Sequence, residues 1–262
     1  MRLRSRLKAA RARVQEEIEW RINAHSVAAR RGLALLHTPD SVRFFNAHPE
    51  LAELHGRFAR LNRVNNGPDI ARLWAFVLNI KQVLGEGVPG DFAELGVWRG
   101  NTAAVLAHYA RAHGRQVLLF DTFTGFSADD LKGIDADKPM EFADTSIEEV
   151  LRTIGDASCC EFVPGYFPQS LTSEHRSRRF AVVSLDCDLH DPMRAGLEFF
   201  YPRLSIGGLL LLHDYSSGHW DGCRLAIDAF CAASGERPVL IPDKSGSAFI
   251  RRTQPARPER SQ

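Results

Sequence analysis

Acidic and histidine side chains stand at the ends of several predicted strands. Glu94 and Asp121 end the first two, and Asp186 and the pair His213-Asp214 end two later ones. Ligands of parallel α/β sheets bind beyond the carboxyl ends of the strands, so we expect these groups to meet there. Carboxylates form a hard, oxygen-rich site suited to Mg²⁺ or Mn²⁺. Such an ion lowers the pKa of a bound hydroxyl, which indicates chemistry on an alcohol. The predicted metal ligands are Asp186, His213 and Asp214, and the predicted catalytic residues are Asp186 and His213.

A glycine turn joins the first predicted strand to a helix. Gly96 and Gly100 permit a tight turn and a close approach to a ligand, and helix amides favour an anionic group. A second strand ending in Asp121 is how α/β folds hold an adenosine ribose. The pattern is E-x-G-x-x-x-G rather than G-x-G-x-x-G, which favours a zwitterion such as S-adenosylmethionine over a pyrophosphate. An ordinary strand-to-helix turn is the other interpretation. The predicted cofactor-binding residues are Glu94, Gly96, Trp98, Arg99, Asp121, Thr122 and Gly165.

Other polar residues near these strand ends admit more than one role. Asp188 suits a metal ligand, a helix cap or a supporting position, and His213 also suits a structural histidine. Asp191 precedes a proline at the first helical position, which predicts a cap. His190 and His219 lie in predicted loops and are alternative general bases.

Strands and helices alternate from residue 91 onward. Helical crossovers between the first five strands predict a parallel sheet with helices on both faces. Residues 242–247 are too short a crossover, so the last strand must be antiparallel. The predicted fold class is therefore α/β, a Rossmann-like, mostly parallel seven-stranded sheet with an antiparallel last strand, as is typical of class I methyltransferases. The long polar segment 127–143 predicts a mobile lid.

The sequence divides into an N-terminal helical extension over residues 1–67, the sheet domain over 68–252 and a disordered tail over 253–262. Apolar residues recur at spacings of three and four through residues 1–37, which predicts a helix. Its first part is basic. We expect it to form a homo-oligomer, with a membrane-surface helix as the alternative.

Composition narrows the class of protein. The chain has 262 residues with 44% hydrophobic, enough for one large domain with an extension. A net charge of +1 argues against a nucleic-acid partner. Five cysteines without a CxxC argue against a disulfide framework or a zinc site and favour a reducing cytoplasm. No apolar run is long enough for a transmembrane helix, so we expect no membrane association.

Several short motifs occur in order along the chain. They are Glu94-Leu95-Gly96-Val97-Trp98-Arg99-Gly100, Asp121-Thr122-Phe123-Thr124-Gly125-Phe126, Asp144-Thr145-Ser146, Leu185-Asp186-Cys187-Asp188-Leu189, Tyr201-Pro202-Arg203-Leu204-Ser205-Ile206-Gly207-Gly208, His213-Asp214-Tyr215 and Gly222-Cys223-Arg224. Together, over about residues 68 to 252, they resemble the macrocin, mycinamicin and novobiocin sugar O-methyltransferase family. The resemblance implies metal-dependent methylation, from S-adenosylmethionine, of a sugar-type hydroxyl on a glycosylated natural product.

Two positions depart from the family pattern, which usually has D-G-D and D-D-Y. Cys187 stands where the first motif has glycine, and His213 stands where the second has an acid. Histidine binds divalent metals but removes one negative charge and softens the site, so Mn²⁺ competes with Mg²⁺ as the expected ion. Two other functions stay open. A nicotinamide-dependent oxidoreductase is disfavoured by the missing G-x-G-x-x-G, and a catalytically silent interaction module is favoured only by the altered metal motif.

Overall fold

The computed structural model of the protein describes residues 42–67 and 69–253. The predicted helix over residues 1–37 and nearly all of the predicted tail lie outside that part. Among the described residues, no helix has the length and hydropathy of a membrane span. The helices are α1 (Val42–Ala47), α2 (Glu50–Arg60), α3 (Arg63–Asn66), α4 (Ile70–Gly85), α5 (Asn101–Ala112), α6 (Ile147–Ile154), α7 (Ser173–Ser177), α8 (His190–Arg203) and α9 (Asp221–Ser234). The strands are β1 (Asp91–Leu95), β2 (Val117–Asp121), β3 (Cys160–Pro164), β4 (Phe180–Leu185), β5 (Leu204–Leu212), β6 (Val239–Leu240) and β7 (Ala248–Arg251).

The described strands form one seven-stranded sheet in the order β3-β2-β1-β4-β5-β7-β6. Strands β1 to β5 are parallel, and β7 is antiparallel to both β5 and β6. Strands β2 and β4 are almost wholly apolar and buried, as expected where helices cover both faces of a parallel sheet. The predicted α/β fold with an antiparallel last strand is confirmed. The strand order reverses between β1 and β4, which is where doubly wound sheets bind ligands.

Some element boundaries differ from those predicted. The Gly207-Gly208 pair predicts that the fifth strand begins at Leu209. Strand β5 begins at Leu204 instead, because Leu204 pairs with Phe180 before a shift in register. Strand β6 is only two residues long. The sequence also predicts a short helix over about residues 169–174, but α7 begins at Ser173, where the Thr172 hydroxyl accepts the His175 amide hydrogen at 3.4 Å.

One predicted helix start is confirmed and another is wrong. The Ser146 hydroxyl accepts the Glu149 amide hydrogen at 3.2 Å, which caps α6 as expected. Asn101 and Thr102 are residue types that cap helices, so the sequence predicts that one of them caps α5. Gly100 is the capping residue instead, with a φ of 81° and no side-chain cap. A Cβ built on Gly100 would lie 2.8 Å from Val150 Cγ1, so packing against α6 excludes a capping side chain there.

The N-terminal segment shares a core with the sheet domain. Leu51, Leu54 and Phe58 of α2 are buried in the same apolar cluster as α4, β1 and α5. Arg57 adds a polar tie, since its Nη2 donates to the carbonyl oxygen of Thr153 at 2.7 Å. These contacts fix the position of α2 against the sheet domain. The boundary near residue 67 stays a prediction.

The segment expected to be a lid contains two short 3₁₀ turns, Ala128–Asp130 and Gly133–Asp135. Each ends in a buried aspartate that bonds to the rest of the domain. Tyr166 donates its hydroxyl hydrogen to Asp130 at 2.5 Å, and the His190 amide donates to Asp135 at 2.7 Å. The segment is thus tied down at two points, and its mobility stays a prediction.

Gly96, in the turn after β1, generates a prediction about stability. It has a φ of 85°, and a Cβ built on it would lie 2.0 Å from the Asp186 carbonyl oxygen. We expect Gly96→Ala to lower the free energy of unfolding by at least about 3 kcal/mol, because left-handed strain and a backbone clash add together. Urea denaturation measures the loss.

Gly114 supplies the matched control. Its φ is 64°, and no atom lies within 4 Å of a Cβ built there. Gly114→Ala therefore pays the left-handed strain alone, about 1–2 kcal/mol. Equal losses in the two variants would show that the close approach to Asp186 is not needed for stability.

Candidate active site

A cavity of about 270 Å³ lies at the carboxyl ends of β1, β2, β4 and β5. Most of the predicted site residues line it, whereas Arg99 and the two loop histidines, His190 and His219, are not among its lining residues. The predicted residues that line it are Glu94, Gly96, Trp98, Asp121, Thr122, Gly165, Asp186, His213 and Asp214.

Asp121 holds the two loops of the nucleoside side together. Its Oδ2 accepts the amide hydrogens of Val97 at 2.7 Å and Trp98 at 2.9 Å, and its Oδ1 accepts that of Phe123 at 2.7 Å. A carboxylate has about four lone-pair sites. The Thr122 hydroxyl lies 3.5 Å from Oδ1, but its hydrogen is donated to the Gly125 carbonyl oxygen at 2.7 Å. One site is therefore left for a further donor such as a ribose hydroxyl. The carboxylate is therefore a structural tie as well as a cavity-lining group.

Arg99 acts on the outer side of the same turn. Its guanidinium stacks 4.6 Å from the Trp98 ring and forms an ion pair with Asp144. The Trp98 indole N–H also donates to Asp144, at 2.8 Å, and these contacts lower the pKa of that carboxyl. The ion pair of Arg99 with Asp144 attaches the end of the segment after β2 to the glycine turn. Arg99 contacts the cavity only indirectly, through Trp98.

Glu94 is a buried acid with unmet bonding capacity. Its side chain is 1% exposed, and its Oε2 has no hydrogen-bond partner among the described residues. Burial, together with the charge of Asp186, raises the pKa of Glu94 well above its usual value. A buried carboxyl with an unpartnered oxygen beside a cavity fits a ligand that brings an ammonium group. The first turn of α5 lines the same cavity, which suits an anionic group of that ligand.

Four side chains beyond β4 and β5 form an acid cluster, which consists of Asp186, Asp188, His213 and Asp214. Each offers a ligand atom within 4.8 Å of the others. His213 Nδ1 lies 2.7 Å from an Asp186 oxygen and 2.5 Å from an Asp214 oxygen. Asp188 and Asp214 both have left-handed backbones, with φ of 60° and 58°. Strain of this kind persists where the surroundings enforce it, often at functional sites.

The acid cluster has more negative charge than its surroundings balance. Burial, followed by the charges of Asp214 and Asp186, raises the pKa of Asp188 well above its usual value. For Asp186, burial acts in the same direction, but His213 and Arg72 outweigh it and lower the pKa. The cluster therefore lacks a positive charge, and its oxygen-rich donor set fits a divalent cation of the Mg²⁺ or Mn²⁺ type.

The side chain of Arg72, on α4, contacts the acid cluster. It is 8% exposed, its Nη1 lies 2.8 Å from His213 Nε2, and its Nε lies 3.0 Å from an Asp69 oxygen. Asp69 also accepts the Lys244 amide hydrogen at 3.0 Å. The guanidinium Nη1 is 3.7 Å from Asp186. The buried Arg72 thus links α4 to the acid cluster and, through Asp69, to the β6–β7 turn.

The Arg72 contact fixes the protonation pattern of His213. The carboxylates of Asp186 and Asp214 outweigh burial and would raise the pKa of this imidazole well above its usual value if Nε2 were free to take a proton. A doubly protonated ring would, however, set an N–H against a guanidinium N–H at 2.8 Å. Because a guanidinium can only donate, the contact requires Nε2 to accept, with the ring proton on Nδ1 between the carboxylates. We therefore describe His213 as a neutral ring in this arrangement.

A pattern in the sequence points to Arg72, although the motifs do not include it. Helix α4 is apolar on nearly every side, with Leu73, Trp74 and Val77 buried. Most of such a helix is enclosed, so an arginine near its start is a candidate for burial beside an anion. The other polar lining residues that were not singled out as site residues are Asn65, Asp69, Asn101, Thr102, Ser127, Asp130, Tyr166, Lys244 and Ser245.

Aromatic rings form one wall of the cavity. Phe126 precedes the lid segment, Phe142 lies near its end, and Trp220 follows β5. The ring of Phe126 lies 5.1 Å from that of Phe142 and 5.6 Å from that of Trp220, centroid to centroid, both edge to face. A wall of this kind suits the apolar face of a ring-shaped ligand.

Comparison with known proteins identifies the family. The chain matches the macrocin-O-methyltransferase (TylF) family over residues 69–251. It belongs to this family. The chain is accordingly an O-methyltransferase, as the motifs implied, and the nicotinamide-dependent alternative is not supported.

Named relatives of this O-methyltransferase act on natural products. The 8-demethyl-8-(2,3-dimethoxy-α-L-rhamnosyl)-tetracenomycin-C 4′-O-methyltransferase of Streptomyces olivaceus is 31% identical, over 68% of this chain and 74% of its own length. The mycinamicin III 3″-O-methyltransferase of Micromonospora griseorubida is 31% identical, over 66% and 73%. The structure of the O-methyltransferase NovP superposes with a TM-score of 0.60 and 28% identity, over 71% of this chain and 81% of NovP.

Glu94 generates a prediction about pH. Its pKa is higher in the folded chain than the ordinary 4.5, so the folded state holds the proton more tightly. Stability must then fall as pH rises above about 4.5. We expect cofactor-free Glu94→Gln, which cannot ionise, to unfold at higher urea than the parent at pH 8, with a much smaller difference at pH 5.

Glu53, an exposed glutamate of α2, provides the control. Glu53→Gln should leave the urea midpoint nearly unchanged at both values of pH, because that carboxylate is already solvated. A Glu94→Gln variant that is no more stable than the parent at pH 8 would mean that the buried carboxyl is compensated within the protein.

Proposed function

We propose that this O-methyltransferase transfers the methyl group of S-adenosylmethionine to a hydroxyl of a sugar-containing small molecule, with a divalent cation in the acid cluster. The observation that carries the proposal is that one cavity joins a buried acid with an unpartnered oxygen, Glu94 Oε2, to the acid cluster. Glu94 favours a ligand with an ammonium group, and the acid cluster favours a divalent metal ion.

On the cofactor side, each lining residue has a proposed part. Glu94 accepts hydrogen bonds from the ammonium, and Asp121 offers its remaining lone pair to a ribose hydroxyl. Gly96 lets the backbone come close to the ligand. Trp98, Thr122 and Gly165 complete the wall, and Arg99 supports it by holding Trp98 in place.

On the acceptor side, we assign catalysis to Asp186 and His213 and metal binding to Asp186, His213 and Asp214. Asp188, within 4.8 Å of these groups, is available as a further donor. His213 can join the ligands only when Arg72 no longer bonds to its Nε2. A cation held by these residues would lower the pKa of the acceptor hydroxyl and orient it.

The transfer itself is a displacement at carbon. The acceptor oxygen bonds to the methyl carbon while the carbon–sulfur bond breaks, and S-adenosylhomocysteine leaves as a neutral thioether. The hydroxyl proton passes to a carboxylate of the acid cluster or to water. The wall of Phe126, Phe142 and Trp220 receives the apolar face of the acceptor. The rhamnosyl substrate in one relative's name supports a sugar-containing acceptor.

Other features of the proposal concern the whole chain. We propose a reducing cytoplasm as its location, which is supported by five free cysteines. Residues 68–252 form the methyltransferase domain, and residues 1–67 are an extension whose first part mediates a homo-oligomer. We propose no nucleic-acid partner, because the net charge is +1, and no membrane association.

Asp121 tests the cofactor site. We expect Asp121→Ala to raise the Kd of S-adenosylhomocysteine about tenfold to a hundredfold, because charge-assisted hydrogen bonds are worth about 1.5–3 kcal/mol. Calorimetry gives the Kd, and circular dichroism confirms that the variant is folded. The exposed Asp129 offers a control, since Asp129→Ala should bind normally. Unchanged binding by folded Asp121→Ala would remove this residue from the site, and no binding by the parent would favour a silent module.

Methyl transfer tests the metal. Radiolabelled S-adenosylmethionine is supplied with a panel of rhamnosides, and labelled ether is the expected product. EDTA should abolish labelling while the Kd of S-adenosylhomocysteine changes little, because the cation contacts the acceptor rather than the cofactor. His213→Asp should shift the preferred ion from Mn²⁺ toward Mg²⁺. Full labelling after exhaustive chelation would show that the carboxylates work as a base or as structure.

A further inference from the structure

Arg72 is tied to the acid cluster by contacts that the proposed methyl transfer does not use. We propose that Arg72 is a built-in counter-cation of the acid cluster, which a divalent ion must displace from His213 in order to bind. The inference rests on the proposed cation site and assigns a role to a residue outside it. Arg72 would be a positioning residue, because it acts through His213 and Asp186.

The geometry places the guanidinium within the field of the cluster. Its Nη1 is 2.8 Å from His213 Nε2 and 3.7 Å from an Asp186 oxygen. A divalent ion bound to Asp186 sits about 2.1–2.5 Å from the carboxylate oxygen. The two positive charges would then lie within a few ångströms of each other in a buried site, where repulsion is strong. Arg72 and the ion therefore compete for the same negative charge.

His213 makes the competition direct. A neutral imidazole has one protonated nitrogen and one lone pair. Because the guanidinium can only donate, its contact with Nε2 uses the lone pair there and leaves the ring proton on Nδ1. Neither nitrogen can bind a metal until that contact is broken. When Arg72 releases Nε2, that nitrogen becomes free to bind the metal ion. The positive charge of the guanidinium moves away from the ion in the same step.

Asp69 provides the place to which Arg72 withdraws. Its carboxylate lies 3.0 Å from Arg72 Nε, and it is fixed by the Lys244 amide at 3.0 Å. The guanidinium also lies 5.8 Å from the ring of Phe58. Arg72 can therefore let go of His213 and remain paired and enclosed, which avoids leaving an unpaired buried charge.

Binding of Mn²⁺ to the cofactor-free protein separates this role from a structural one. Arg72→Gln keeps an N–H donor but removes the charge, and Arg72→Lys keeps the charge. We expect Arg72→Gln to bind Mn²⁺ about tenfold more tightly than the parent, because the competing charge is gone. Its melting temperature without metal should fall, since the cluster loses its counter-charge, and Mn²⁺ should raise it by more than in the parent. Arg72→Lys should keep an affinity near that of the parent.

Arg178 provides the matched control, because it pairs with Asp91 at the opposite end of β1, at 2.9 Å. Arg178→Gln should lose some stability with no change in the Kd of Mn²⁺. Unchanged or weaker Mn²⁺ binding by folded Arg72→Gln would overturn the inference and leave Arg72 a purely structural group. Absence of Mn²⁺ binding in the parent and in every variant would overturn the cation site itself, while the cofactor site would still be judged by its own titration.

Discussion

The structure depends on how buried negative charge is compensated at the carboxyl ends of the parallel strands. Removing a carboxylate from water is unfavourable unless it is paired or hydrogen-bonded, and here several lie together. Backbone amides satisfy Asp121, and His213 lies between Asp186 and Asp214. Glu94 and Asp188 are the ones left without enough positive charge, and both have raised pKa values. These two acids mark the places where ligands must supply it.

This pattern of compensation links folding to ligand binding. A ligand that binds only the folded chain stabilises it in proportion to the logarithm of its concentration over Kd. An ammonium at Glu94 and a cation at Asp188 would each compensate the charge of a buried carboxylate. Each ligand should therefore stabilise the folded chain more than it would if that carboxylate were already paired in the free protein. The left-handed backbones of Asp188 and Asp214 are a further unfavourable feature of the free protein, which the surrounding packing maintains.

Much of this arrangement follows from the sequence, and the reason is topological. Once Glu94, Asp121, Asp186 and the pair His213-Asp214 are assigned to strand ends, a parallel sheet brings them to one edge whatever the packing details. The residues that the motifs missed lie on other elements. Arg72 belongs to a helix, and Trp220 belongs to a loop, so their places depend on tertiary contacts rather than on register. The predicted cap at Asp191 is wrong for a similar reason, since α8 begins after Leu189 and the Asp191 carboxylate pairs with Lys132 at 3.1 Å.

The histidine at position 213 changes what Arg72 does. An acid there, as the resembling D-D-Y motif has, would form an ion pair with the guanidinium, whereas the imidazole accepts one hydrogen bond through a lone pair. The bond to the imidazole has a charge only on the guanidinium, whereas an ion pair would have opposite charges on both partners and a stronger Coulombic attraction. The substitution therefore weakens the hold of Arg72 on the cluster while removing one of the charges that attract a metal. Both the competitor and the attraction become weaker together, so the balance between them, rather than the number of acids, sets the affinity for a cation in this chain.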